Sequence, residues 1–85
     1  MLHGILLTVP DCHLCTSARE AVHRAAGAGR VQLEEIAWDS RQGRRLVERD
    51  GVLFAPALYI DDRLVGYGQI SEGTVRNWLK KRTAS

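Results

Sequence analysis

Near the start of the chain, a continuous apolar run is followed by apolar residues at helical spacing. This change in the spacing of apolar residues limits the folds that the chain can adopt. Residues 4–9, GILLTV, are rich in branched side chains and are closed by Pro10. Short runs of this kind are typical of strands buried on both faces of a sheet. The apolar side chains that follow recur at helical spacing: Leu14, Ala18, Ala21, Val22 and Ala25. The pattern predicts a buried strand that leads directly into a helix.

The next part of the chain predicts a second strand and a second helix. Glycines in the stretch GAGR, residues 27–30, end the first helix. Residues 31–38, VQLEEIAW, place apolar side chains two apart among polar ones, which is the alternation of a strand with one wetter side. Residues 41–49 form a short helix that Ser40 caps and that the Asp-Gly pair at 50–51 ends.

The last part of the chain predicts a hairpin and a closing helix. Residues 57–60, ALYI, and residues 64–67, LVGY, are two short strands. The turn between them, residues 61–63, carries aspartates, which stabilise turns through their side chains. Ser71 is the cap of a final helix, and the apolar face of that helix is formed by Val75, Trp78 and Leu79.

The order β-α-β-α-β-β-α predicts an α/β fold in a single domain that spans residues 1–85. A strand-helix-strand start implies a parallel pair with a right-handed crossover, and the hairpin adds antiparallel partners. We therefore expect a mixed four-stranded sheet with helices on both faces. The composition, 45% hydrophobic and 26% charged, is that of a globular chain.

Charge and hydropathy limit the partners. The formal net charge is only +2, and the basic residues form short clusters, as at Arg41, Arg44 and Arg45. A nucleic-acid binder needs a dense basic stripe interleaved with aromatic residues, so no nucleic-acid partner is expected. No run approaches the roughly 20 apolar residues of a membrane span, and the N-terminus lacks the basic start and cleavage site of a leader peptide. We therefore expect a cytoplasmic monomer with no membrane partner.

The two cysteines of the chain, Cys12 and Cys15, lie where the first strand meets the first helix. At a helix start, unpaired backbone N–H groups and the helix dipole stabilise a thiolate, which makes Cys12 the candidate nucleophile. Cys15, one helical turn further on, is within reach of a disulfide with Cys12. The pair predicts thiol-disulfide exchange, in which Cys12 attacks a substrate disulfide and Cys15 resolves the mixed disulfide.

Other interpretations of the cysteine pair remain open. Free cysteines are often buried, so the two can be small core residues. A zinc site needs four ligands, which would have to include histidines among His3, His13 and His23. An iron-sulfur cluster bridged by two subunits, or completed by glutathione, would make the chain a cluster scaffold or carrier. A redox-inert binding module is a further possibility, because a fold does not fix a function.

The motif VPDCHLC, the stretch FAPALYIDDRLVG at residues 54–66 and the closing amphipathic helix together resemble the small bacterial glutaredoxin-like proteins of the thioredoxin fold. The resemblance covers nearly the whole chain. It implies that Pro56 is preceded by a cis peptide bond and packs near the cysteine pair, and that the backbone of Ala55 binds the substrate. His13, between the cysteines, is a candidate for contacting the substrate and favouring the thiolate.

The resemblance also bears on cofactors. We expect no tightly bound cofactor, a disulfide-containing protein or small thiol as substrate, a reductase as partner, and glutathione or another low-molecular-weight thiol as a candidate co-substrate. Val9 stands where glutaredoxins carry a basic residue, and Asp11 adds negative charge, so we expect weak use of glutathione. Of the aromatic residues, Phe54 and Trp78 are expected in the core, and Tyr67 either on the sheet or in a groove beside the cysteines.

Overall fold

The elements follow the predicted order. The structure, a computed structural model, describes residues 2–27 and 30–84. Residues 28 and 29 of the stretch predicted to end the first helix lie outside the described residues. The elements are β1 (Leu2–Thr8), α1 (His13–Ala26), β2 (Val31–Ala37), α2 (Arg41–Asp50), β3 (Ala57–Ile60), β4 (Arg63–Tyr67) and α3 (Glu72–Ala84).

The four strands form one mixed sheet, as predicted, and their order across the sheet is β2-β1-β3-β4. Strand β1 is parallel to β2 and antiparallel to β3, and β3 is antiparallel to β4. Thr8 pairs with Ala37, while Ala57 pairs with both Leu7 and Tyr67. Strands β1, β2 and β4 therefore finish, and β3 begins, at one end of the sheet. We name it the cysteine end, because the loop with Cys12 leaves the sheet there.

The two faces of the sheet bury different residues because strand side chains alternate. On one face Leu6, Leu58 and Ile60 pack with buried residues of α1 and α3. On the other face Leu7 and Tyr59 pack with Leu46 of α2. The predicted helices on both faces are thus confirmed.

The predicted helix caps are also confirmed. The Ser40 hydroxyl accepts a hydrogen bond from the Gly43 N–H at 3.0 Å, and the Ser71 hydroxyl accepts one from the Thr74 N–H at 3.1 Å. Gly51 ends α2 in the left-handed conformation, φ 66°. A Cβ atom is strained in this conformation. Glycine has no Cβ, which is why it is common at this position.

Two of the larger apolar side chains named above, Phe54 and Leu14, are exposed, and only Phe54 was predicted in the core. Phe54 is 63% exposed, so its assignment to the core is wrong. It lies in the segment between α2 and β3, outside the sheet. Leu14 is 44% exposed although it fits the helical spacing, because it belongs to the first turn of α1, beside the cysteine loop. Trp78 is half-buried and packs against the core, in line with its prediction.

The far end of α2 is attached to the sheet by polar contacts. Arg49 pairs with Asp50 at 2.8 Å and with Asp62 of the β3–β4 turn at 3.1 Å. The hydroxyl of Tyr59 donates a hydrogen bond to the Leu46 carbonyl at 3.0 Å. Burial of this ring, with the Asp50 carboxylate nearby, raises the pKa of Tyr59 above its ordinary value.

Helix α1 is joined to β2 by an ion pair. Nε and Nη2 of Arg19 donate to the two carboxylate oxygens of Glu35, each at 2.6 Å. The hydrogen bonds from Arg19 hold the pKa of Glu35 below its ordinary value. Both side chains are 38% exposed, so solvent screens the pair and its contribution is at most about 1 kcal/mol.

The stabilisation by this ion pair is expected to depend on pH. Because the folded pKa of Glu35 is depressed, the contribution is present above the unfolded pKa and is lost as the pH falls through the folded value. The difference in urea midpoint between the native chain and Glu35→Gln should therefore be largest near neutral pH and shrink in acid. The matched control Glu34→Gln, one residue away, should give a smaller difference at neutral pH. A Glu35→Gln difference that does not change with pH would contradict the assignment.

Candidate active site

Cys12 occupies the N-cap of α1. Its backbone is extended, with φ −107° and ψ 106°, and its sulfur accepts a hydrogen bond from the Cys15 N–H at 3.1 Å. A cap side chain satisfies one of the N–H groups that a helix start leaves unpaired, and the dipole there favours negative charge. The sulfur thus lies where the backbone stabilises a thiolate better than a thiol.

Cys15 lies one turn further along α1 and differs from Cys12 in exposure. It is only 3% exposed, whereas Cys12 is half-buried. The two sulfurs lie at disulfide-bonding distance, with Cα atoms 5.3 Å apart, within the normal range for a disulfide. A reagent in solvent can reach Cys12 directly, while Cys15 is accessible mainly to the sulfur of Cys12.

Asp11, directly before Cys12, has a backbone conformation that the sequence did not reveal. Its φ is +53°, in the left-handed region, where asparagine, aspartate and glycine are enriched. The turn at Pro10 and Asp11 carries the chain from β1 to the start of α1. A glycine at this position would have predicted the conformation, and aspartate gives only a weak signal. Asp11 is exposed and directly precedes Cys12, so its carboxylate opposes a second negative charge near that sulfur.

The peptide bond between Ala55 and Pro56 is cis, as predicted. Pro56 is buried and immediately precedes β3, so it lies at the cysteine end, next to the end of β1. Its carbonyl accepts a hydrogen bond from the Gly68 N–H at 2.8 Å. Among the residues that the structure describes, the backbone of Ala55 makes no hydrogen bond.

An apolar surface lies at the same end of the sheet. Leu53 is 70% exposed, Phe54 63% and Tyr67 38%, and the rings of Phe54 and Tyr67 stack with centroids 6.4 Å apart. We name these three residues the aromatic patch. Tyr67 is the last residue of β4, and its exposed ring forms part of this surface. Apolar side chains grouped beside a reactive site commonly bind a partner.

The histidines lie at separate places. His13 is the first residue of α1 and is exposed, beside the cysteine pair. His3 lies 3.6 Å from Glu34 on the sheet surface. Within residues 2–27 and 30–84, no three or more His, Cys, Asp or Glu side chains form a group that could hold a metal ion. In the same part of the chain, no helix has the length and apolar character needed to cross a bilayer.

The comparisons with known proteins give a likeness in fold. The sequence matches no protein-family model and no curated protein. A solved structure titled "Structure of a malarial protein" is similar over 95% of this chain and 96% of its own, with a TM-score of 0.63 and 15% identity. At that identity the likeness concerns the backbone fold alone.

Proposed function

We propose that this chain is a thiol-disulfide oxidoreductase of the glutaredoxin-like, thioredoxin-fold type, with Cys12 as nucleophile and Cys15 as resolving thiol. The observation that carries the proposal is the hydrogen bond from the Cys15 N–H to the Cys12 sulfur at the N-cap of α1. It supports an activated thiolate at Cys12 with a second thiol next to it. The small α/β fold and the cis bond before Pro56 agree with the type.

The reaction moves two electrons. The Cys12 thiolate attacks one sulfur of the substrate disulfide, that bond breaks, and the departing substrate thiolate takes a proton from solvent. Cys15 then loses its proton and attacks the Cys12 sulfur of the mixed disulfide, which releases the second substrate thiolate. The substrate is reduced to a dithiol and the chain is oxidised to the Cys12–Cys15 disulfide. A protein reductase or a low-molecular-weight thiol supplies the two electrons that restore the dithiol.

Substrate binding is assigned to the surface around the pair. The unpaired backbone of Ala55 can hydrogen-bond to an extended segment, with Pro56 shaping the groove and His13 exposed at its edge. The aromatic patch favours a polypeptide disulfide over a small polar one, because apolar side chains gain most by burial against a partner. The proposal sets this reaction in the cytoplasm, where thiols are kept reduced.

Trapping the mixed disulfide tests the function. With Cys15→Ser the second step is blocked, so incubation of the reduced variant with oxidised proteins should leave disulfide adducts on Cys12 that dithiothreitol releases. The matched control Cys12→Ser keeps one thiol but lacks the nucleophile, and it should form few adducts. Equal adduct yields for the two variants would contradict the roles. A protein that absorbs visible light after anaerobic purification, and loses that absorption with Cys12→Ser, would instead indicate a cluster scaffold.

A further inference from the structure

Three arginines of α2, Arg41, Arg44 and Arg45, have exposed side chains that face solvent. None of them forms an ion pair within the described part of the chain. They line a shallow groove together with Arg49, whose charge Asp50 and Asp62 already compensate. Like charges this close repel one another, so an acidic partner would gain attraction here. We name the three arginines the basic surface; Asp39 and Glu48 at the groove offset only part of their charge.

The basic surface begins at the cysteine end. Helix α2 starts four residues after the end of β2, and the Trp38 N–H donates to the Thr8 carbonyl at 2.8 Å, which joins the start of this connection to the end of β1. In the sheet order, β2 lies on one side of β1, and β3 and β4 lie on the other. The loop with Cys12 therefore emerges between the connection to the basic surface on one side and, on the other, β3 and β4, the strand that ends at Tyr67 of the aromatic patch.

We propose that the substrate is a polypeptide disulfide whose reacting cysteine has an apolar residue on one side and acidic residues on the other. This inference rests on the proposed function and names its substrate class. The apolar residue packs on the aromatic patch, and the acidic residues face the basic surface. Because Asp11 repels negative charge beside Cys12, the acidic residues lie several positions from the reacting cysteine. Charge complementarity at a binding surface raises the association rate and discriminates against partners of the wrong sign.

Matched disulfide peptides test this substrate class. Each peptide contains one intramolecular disulfide. Leucine or serine lies next to one cysteine, and three aspartates, three asparagines or three lysines lie several residues away on the other side of it. Each peptide is made with the apolar side N-terminal and again with it C-terminal. The second-order rate constant for reduction by the reduced protein is measured in a single turnover at low and moderate salt. The peptide with leucine and aspartates should react about tenfold faster than its lysine counterpart at low salt. The ratio of the two rate constants should be smaller at moderate salt, because salt screens the charges.

Charge variants of the protein show whether the basic surface causes the preference for acidic peptides. A triple change of Arg41, Arg44 and Arg45 to glutamine should remove most of the preference for aspartate over lysine, and the same change to lysine should retain most of it. The control changes Arg30 and Arg63 to glutamine together with Lys81→Gln. These residues are exposed and lie away from the cysteine end, at the start of β2, the start of β4 and late in α3. The control removes equal charge and should preserve the preference.

Each other outcome contradicts a specific part of the argument. Equal rates for the aspartate and lysine peptides would overturn the inference, as would an equal loss of preference in the control variant. If the glutamine triple slows reduction of glutathione disulfide by the same factor as reduction of the acidic peptide, the arginines select acidic disulfides of any size and the polypeptide class is wrong. If the native protein reduces neither the peptides nor the small neutral disulfide of mercaptoethanol, the proposed function itself fails. Reduction of the neutral disulfide without any peptide preference would overturn only the inference.

Discussion

In the fully reduced protein near neutral pH, iodoacetamide should modify Cys12 on the order of a hundredfold faster than Cys15. Alkylation needs both a thiolate and access for the reagent. We expect Cys12 to meet both conditions, because its sulfur accepts a hydrogen bond from a backbone N–H at the helix N-cap and its side chain is only half-buried. Cys15 is 3% exposed and lies against the core side of α1. The two rates are read by mass spectrometry of the labelled peptides.

Unfolding supplies the control for this asymmetry. In concentrated urea neither the cap nor the burial remains, so the two rates should come within a few-fold of each other, as for unperturbed thiols. The single variants Cys12→Ser and Cys15→Ser test each thiol without competition from its neighbour. Equal rates in the folded chain would remove the distinction between nucleophile and resolving thiol.

The sequence predicted the elements well because their signals are local. Ser40 and Gly51 bound α2 for reasons contained in a few residues, namely a hydroxyl acceptor and a left-handed backbone. The change of period after residues 4–9 placed Cys12 at the start of α1 by the same kind of local reasoning. The spacing of Cys12 and Cys15 then predicted their proximity, since residues three apart lie on one side of a helix.

The surface around the cysteine pair was harder to predict, because its composition depends on how distant parts of the chain are placed in the tertiary structure. Phe54 is a large aromatic residue of the kind usually buried, and only the path of the segment between α2 and β3 leaves it exposed beside Tyr67. The basic surface was visible as a cluster of arginines, but its position at the cysteine end follows from where β2 finishes. The left-handed backbone at residue 11 was not predicted, because the residue there is aspartate and not glycine.

Gly43 in α2 is another residue whose role depends on the tertiary structure, and Gly43→Ala is expected to destabilise the fold by about 1–3 kcal/mol. A Cβ at this position would lie 2.6 Å from the carbonyl oxygens of both Ala37 and Trp38. These are backbone atoms, so relief requires the start of α2 to move away from the end of β2. This strain exceeds the gain of up to about 1 kcal/mol that alanine normally gives over glycine in a helix. Urea unfolding measures the change.

Gly73 in α3 provides the matched control. It is exposed, and the nearest atom to an added Cβ is the Ser71 hydroxyl oxygen at 3.8 Å, an ordinary contact. Gly73→Ala should therefore leave stability unchanged or raise it by up to about 1 kcal/mol. Opposite signs for the two substitutions would show that close packing of α2 on the end of β2 makes glycine necessary at residue 43. Equal, small effects would mean that α2 is free to shift there, and a helix free to shift would not hold Arg41 and Arg44 at a fixed place beside the cysteine end.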